Sequence, residues 1–360
     1  MNTPLEHDYA PGCDLYDRFL GSALFEPYAI DLASRVADLT EGSVLEMACG
    51  TGIVTQQLRT RLKPSVALTA TDINPGMLDY AQKKLKQLKR EGHSMNTPLE
   101  HDYAPGCDLY DRFLGSALFE PYAIDLASRV ADLTEGSVLE MACGTGIVTQ
   151  QLRTRLKPSV ALTATDINPG MLDYAQKKLK QLKRIDWRQA DIANLTFSDA
   201  SFNAVLCQFG LMFVPDRNRA FQEMRRVLVN GGRLAVSVWD RMDANPWGVA
   251  VHNTIEKLFP DNPPQFFKAP FNFADADVLR TLLNANGFDQ ITIQPVSMEC
   301  RSNSARSLAI GMIEGAPILA EIQERGGSSG PIVDAVANAF GQLGGDSPFQ
   351  TTMQAIVVTA

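Results

Sequence analysis

Three carboxylates, Glu140, Asp166 and Asp191, stand within or just beyond the ends of short apolar stretches, and the first leads into a run of small residues, Ala142-Cys143-Gly144-Thr145-Gly146. Glycine lets a backbone take positive φ and approach a ligand closely, so a strand that enters such a run and leaves it as a helix offers a cradle for a small molecule. The turn that seats a dinucleotide pyrophosphate on a helix N-terminus reads G-x-G-x-x-G. Here the pattern is Ala142-x-Gly144-x-Gly146 and the third glycine is missing, which argues against a nicotinamide oxidoreductase. Glu140, two residues before the turn, would repel a pyrophosphate. It suits a ligand that carries positive charge.

The elements that must hold these residues alternate along the chain. Residues 137–142, 161–165, 186–189, 204–209, 233–239, 291–298 and 354–359 read as strands, and 147–156, 169–182, 218–228 and 275–287 as helices, with Pro169 tolerated in a first turn. Apolar residues at helical spacing over 108–133 predict two further helices on one side of the core. Asn230-Gly231-Gly232 reads as a helix C-cap. Lys177, Lys178, Lys180, Lys183 and Arg184 are expected to form a solvated face near a helix C-terminus. Strands alternating with helices imply an α/β protein with a doubly wound, mostly parallel seven-stranded sheet covered on both faces. Residues 245–273 read as a lid or substrate region, whose Trp247, Phe259, Phe266, Phe267, Phe271 and Phe273 either line an acceptor pocket or anchor the segment to the sheet.

A repeat decides the organisation. Residues 1–90 recur unchanged as residues 95–184, and the second copy starts again at a methionine. Solenoid repeats recur several times with drift. This one reads instead as a tandem duplication, natural or engineered, joined by the polar residues 91–94. Residues 1–94 are thus expected to form an incomplete half-domain and residues 95–360 a complete domain. If the first copy entered the sheet, the whole second copy would become a loop before Ile185, disfavoured by roughly 2–3 kcal/mol of closure entropy. Unpaired strands in the first copy would leave room for a homodimer or a segment swap.

Taken in order, the glycine run, Thr165-Asp-Ile-Asn-Pro-Gly-Met171, Arg188-Gln-Ala-Asp-Ile192, Phe202 to Phe213 and Ala220 to Gly232 resemble the class I S-adenosylmethionine-dependent methyltransferases, in their bacterial small-molecule group. The resemblance covers nearly all of residues 95–360. It implies a Rossmann-like methyltransferase fold and S-adenosylmethionine as cofactor. Glu140, Ala142, Cys143, Gly144 and Gly146 would surround the methionyl part, with Ala142 in the place of the family's usual first glycine. Asp166 would accept the ribose hydroxyls, Ile167 and Met171 would sandwich the adenine, and Asp191 would accept its amino group beside Ile192. Gln208 and Phe209 would line the methionyl end, and Tyr103 and Tyr110 would close over the cofactor.

Each of these residues also has a plainer role. Asp166 and Asp191 could cap helices, Ile167, Met171 and Ile192 could be core, and Cys143 and Cys207 read as packing rather than nucleophiles. Five matches in fixed order at successive strand ends favour the cofactor. Methyl transfer from a sulfonium needs alignment above all, and a base only when the acceptor is an amine or alcohol. His101, Tyr110 and His252 are the candidate bases. The expected activity is methylation of a small apolar or aromatic molecule, with a catalytically silent binding or scaffold protein of the same fold as the alternative.

Bulk properties bound the partners. Hydrophobic residues make up 45% of the 360 and charged residues 21%, enough apolar material for a core. A net charge of -8 argues against a nucleic-acid partner. No apolar run suits a membrane span and the first residues lack the blocks of a signal peptide, so a cytoplasmic location is expected. Six cysteines without a C-x-x-C pair suggest neither disulfides nor a metal site.

Overall fold

The computed structural model describes residues 25–63, 65–90 and 104–360, which belong to two compact units that divide after His101. The first unit contains α1 (Glu26–Ser34), β1 (Ser43–Met47), α2 (Ile53–Arg61), β2 (Ala67–Thr71) and α3 (Pro75–Arg90). Its two strands pair in parallel, Ser43 with Ala67 through Met47 with Thr71. Ala33, Leu58, Leu62 and Val66 form a small core against which Val44 and Leu68 pack. That core covers one face of the two strands. Successive side chains of a strand point to opposite faces, and on the other face Leu45 and Met47 are 62% and 76% exposed.

The second unit opens with α4 (Ala104–Tyr110), a π-helix (Asp111–Phe119) and α5 (Glu120–Ser128) in unbroken succession. Two helices are expected over this stretch from the apolar spacing; the structure makes one run whose middle is wound wider, Glu120 N–H reaching the Gly115 carbonyl five residues back. Pro121 supplies a reason. It has no N–H for the carbonyl of Ala117, and its ring crowds that carbonyl, so the preceding turns loosen.

Next come β3 (Ser137–Met141), α6 (Ile147–Arg155), β4 (Ala161–Asp166), α7 (Pro169–Lys178), β5 (Ile185–Gln189), β6 (Phe202–Gln208), α8 (Arg217–Val227) and β7 (Leu228–Trp239). They are followed by α9 (Pro246–Leu258), α10 (Ala276–Ala285), β8 (Thr292–Ser302), α11 (Ala305–Glu314), α12 (Ile318–Glu324), α13 (Ser329–Gly344) and β9 (Phe349–Thr359). Seven strands form one sheet in the order β5-β4-β3-β6-β7-β9-β8. The first five run parallel, and β9 is antiparallel to both of its neighbours. This is the Rossmann-like, doubly wound architecture expected from the sequence.

Alternation along the strands builds a core on each face. Ala204 and Leu206 of β6 join Leu126, Val130, Val148 and Leu152 of α5, α6 and the turn between α5 and β3. Val205 and Cys207, one step out of phase, join Phe221 and Met224 of α8 and Leu279 and Leu283 of α10. The sheet order reverses between β3 and β6, and the crevice outside the carboxyl ends of parallel strands at such a reversal is where open α/β sheets bind ligands.

Three local readings change. Helix α8 ends at Val227 and Leu228 already pairs with Phe202, so Gly231 and Gly232 lie in a register shift between β6 and β7 rather than in a helix cap. Helix α7 stops at Lys178 instead of running to Leu182. In the 245–273 segment Trp247, Phe267 and Phe273 are 3%, 4% and 3% exposed and belong to the main core. Those rings anchor the segment.

Candidate functional site

The glycine run forms a chain of left-handed turns at the end of β3, with φ of +53° at Ala142, +53° at Gly144 and +78° at Gly146. Ala142 therefore holds a conformation that glycine takes without strain, which explains why a glycine would sit there by preference. A side chain at Gly144 would meet nothing within 4 Å, so the turn faces open space, whereas one at Gly146 would come within 2.9 Å of Leu179. Gly146 is thus a packing glycine under α7. Gly144 faces the space a ligand would use.

Asp166 closes β4 and reaches across to this turn. Its Oδ2 accepts the Gly144 N–H at 2.8 Å and its Oδ1 accepts the Asn168 N–H at 2.9 Å. Each carboxylate oxygen has a second lone pair to offer, so two further donors can be met. Burial pushes this carboxyl above its ordinary value, and the backbone N–H groups of Asn168, Gly144 and Ile167 work against that. Asn168 also caps α7, accepting from Gly170 and Met171 N–H.

Glu140 lies below the turn, 2% exposed; the Thr149 hydroxyl and backbone N–H stand beside its carboxyl, but neither oxygen makes a hydrogen bond of normal geometry. Burial pushes its carboxyl up to about 8, eased by the Thr149 hydroxyl and reinforced by the charge of Asp166. A buried carboxyl without partners is costly when charged. It favours a cationic neighbour.

The other expected residues lie along the same strand ends. Ile167 is 54% exposed, a large apolar side chain in water next to Asp166. Met171 Sδ is 3.5 Å from Cys107 Sγ. Beyond β5, Asp191 is exposed and accepts the Ala193 N–H at 2.8 Å, while Ile192 is buried against the space beside Gly210. Glu223 and Arg226 of α8 pin that loop by bonding the Leu195 N–H and the Leu195 carbonyl. On β6, Gln208 donates to the Phe119 carbonyl at 3.1 Å and leaves its Oε1 buried without a partner. Phe209 has φ of +52° and stacks on Trp239 at 4.1 Å between ring centres. Strained backbone at both Ala142 and Phe209, side by side at the sheet reversal, marks a functional rim.

Tyr110 is stacked on Phe119 at 5.0 Å. Burial, together with the charges of Asp166 and Asp111, pushes its phenol well above the ordinary value, so it can donate a hydrogen bond but holds its proton. His252 is half-buried on α9, 3.2 Å from Glu256 one turn on. His101 and Tyr103 lie outside the described residues. Cys143 and Cys207 are buried, and burial raises both thiols, Cys207 to about 12, which leaves them poor nucleophiles.

The sequence reading missed Asp111, whose carboxylate gathers Thr145, Tyr174 and Lys178 from two elements. The signal was slight: one acid in a helical stretch. It also placed Lys178 on a solvated face, but this side chain turns inward and is only 25% exposed. A separate hollow of about 350 Å³ opens among Asp240, Arg241, Ala274 and Ile293, and none of the glycine-turn residues lines it.

A doubly wound sheet with an acidic, left-handed turn at its reversal puts the chain among the α/β proteins built to take a ligand at the carboxyl ends of their strands. Comparison with known proteins takes the assignment further. The model of the methyltransferase domain family matches residues 44–105 and 138–232. Over 173 residues the chain is 30% identical to a demethylmenaquinone methyltransferase of Lactobacillus johnsonii, covering 44% of this chain and 70% of that protein. It is 36% identical over 135 residues to the protein of the same name in Deinococcus radiodurans, covering 37% of this chain and 55% of that one. Among solved structures it is similar to the YcgJ protein of a Bacillus, at 17% identity and a TM-score of 0.44, over 66% of this chain and 97% of that one. The chain belongs to the class I S-adenosylmethionine-dependent methyltransferases.

The residues present fit that cofactor. Gly144 opens to free space, Asp166 keeps a lone pair on each oxygen, and the orphaned Glu140 carboxyl answers a cation.

Proposed function

We propose that this chain transfers a methyl group from S-adenosylmethionine to a small apolar or aromatic acceptor, and that residues 95–184, not their copy at 1–90, hold the cofactor. The carrying observation is that the Gly144 turn, Asp166 and the orphaned Glu140 converge at one reversal of the seven-stranded sheet. Asp166 would accept the ribose hydroxyls, Ile167 and Met171 would flank the adenine, and Asp191 beside Ile192 would accept its amino group. Gly144 and Gln208 would receive the methionyl end with Ala142, Cys143, Gly146 and Phe209 around it, and Tyr110 would cover it. When bound, the cofactor supplies a methyl group already activated on sulfur.

What the chain adds is alignment and the exclusion of water. An aromatic wall of Phe119, Phe209, Tyr122 and Trp239, with ring centres 4.1 to 6.3 Å apart, stands beside Gln208. Those rings are 1–9% exposed and belong to the main core; the planar acceptor is supported instead by the two relatives, each named demethylmenaquinone methyltransferase. With the Tyr110 phenol held protonated, an acidic phenol that sheds its own proton is the acceptor this rim suits best.

The first copy repeats the local geometry, Asp72 accepting the Gly50 N–H at 2.7 Å. Among its described residues β1 pairs with β2 alone, and no strand lies on the far side of β1. The test is calorimetry with S-adenosylmethionine on two variants. Asp166→Ala is expected to abolish binding and Asp72→Ala to leave it unchanged. Equal effects would refute the assignment to the second copy, and no binding by the parent chain would refute the site. Among the described residues no helix is long and apolar enough to cross a membrane.

A further inference from the structure

We propose that Asp111 is a positioning residue for the cofactor, a latch that holds the N-terminal helical run onto both loops that receive it; this rests on the site assignment above. Asp111 opens the π-helix, and its side chain is only 15% exposed. Its Oδ1 accepts from Thr145 Oγ1 at 2.7 Å and from Lys178 Nζ at 2.5 Å, while its Oδ2 faces the Tyr174 hydroxyl at 3.4 Å.

The three donors come from the places that matter. Thr145 stands between Gly144 and Gly146, is 2% exposed, and fixes the middle of the glycine turn. Tyr174 and Lys178 are one turn apart on α7, the helix that starts three residues after Asp166. One carboxylate therefore sets the distance between the turn and the start of α7. Residues adjacent to it in the same run do the covering. Tyr110 lies within the field of Asp166, and Cys107 touches Met171. At the far end of the π-helix the Phe119 carbonyl takes the Gln208 amide, so the run is tied at both ends to strand ends of the site.

Charge-assisted hydrogen bonds in a half-buried place hold geometry better than exposed ion pairs do. Without the carboxylate, Thr145 and Lys178 lose their shared anchor, and the turn and α7 can drift apart with Asp166 between them. A residue serving stability alone would lower the melting temperature of the ligand-free chain and leave cofactor affinity as it was.

The experiment is calorimetric titration of the full chain with S-adenosylmethionine, paired with melting of the ligand-free protein, for the parent, Asp111→Asn and Lys178→Met. Asp111→Asn is expected to weaken binding by about tenfold or more, and Lys178→Met by several-fold. The double variant should bind no more weakly than Asp111→Asn alone, since both act through one contact. A parent chain that binds no S-adenosylmethionine overturns the site and the latch together. A parent that binds, with Asp111→Asn within twofold of it, overturns the latch alone. Should Asp111→Asn fail to fold, Lys178→Met decides: unchanged affinity overturns the proposal, and a several-fold loss upholds it.

Discussion

Glu140 shows how one side chain reports its surroundings, because the chain holds the same residue twice. As Glu46 in the first unit it is half-buried and accepts the Thr55 hydroxyl at 2.6 Å. As Glu140 it is closed off beneath the glycine turn and its carboxyl rises from 4.5 to about 8. Below the ordinary value both folded and unfolded chains keep the proton, and the group has no effect on folding. Between about pH 4.5 and 8 the unfolded chain gives it up while the folded chain keeps it, so stability falls as pH rises, by about 1.4 kcal/mol per pH unit for one proton. Above that window both are ionised and the loss is complete. Glu140→Gln should therefore gain on the parent as pH rises, melting higher at about pH 8 than it does relative to the parent at about pH 5. Denaturant midpoints across that range would check it. A difference between variant and parent that stays flat with pH would show that Glu140 keeps an ordinary carboxyl.

At the scale of elements, the N-terminal helical run depends on a neighbour that the sequence pattern left unassigned. Helix α11 brings Gly311 and Gly315 against it, and a side chain at Gly315 would come within 2.7 Å of the Tyr110 backbone nitrogen. Backbone cannot yield as a flexible side chain can. Gly315→Ala is expected to push α4 off α11 at a cost of about 1–3 kcal/mol and to weaken cofactor binding with it. Melting and titration of that variant would measure both, and unchanged values in both would mean the contact is slack. Why the sequence hid this is instructive. Alternating apolar runs such as 161–166 and 202–208 and the glycine turn carry their own periodicity and punctuation, so the parallel strands and the carboxylate-bearing rim were legible. Helices α11 and α12 are short and bounded by Gly315, Gly326 and Gly327, and α11 and α13 pack chiefly on each other, α11 also on the N-terminal helical run and α13 on α9 and β9. The π-helix and the Asp111 contacts were equally hidden, since both depend on residues far apart in the chain meeting in space.

For the whole molecule, the repeat of residues 1–90 as 95–184 puts identical strands in two different surroundings. Leu139 and Met141 are fully buried in the main core of the second unit, which residues 114–122 and elements after Ile185 build together, while the identical Leu45 and Met47 stand 62% and 76% exposed. Exchange of a first copy for a second, within a chain or between chains, would leave one such face open for every complete domain formed. Swapping therefore brings no net burial, and the exposed face persists in any arrangement that uses one copy per sheet. Apolar strand faces and unpaired edges of this kind promote association. Leu45→Lys with Met47→Lys should reduce concentration-dependent light scattering of the full chain, because both side chains already meet water and their replacement disturbs little packing. The main melting transition, carried by the seven-stranded domain, should move by less than about 0.5 kcal/mol, as for surface substitutions elsewhere. If scattering is unchanged, this face is not the one that drives association. If instead the main transition drops by several degrees, the first copy contributes to the sheet, and the cofactor must be sought in a domain built from residues 1–90.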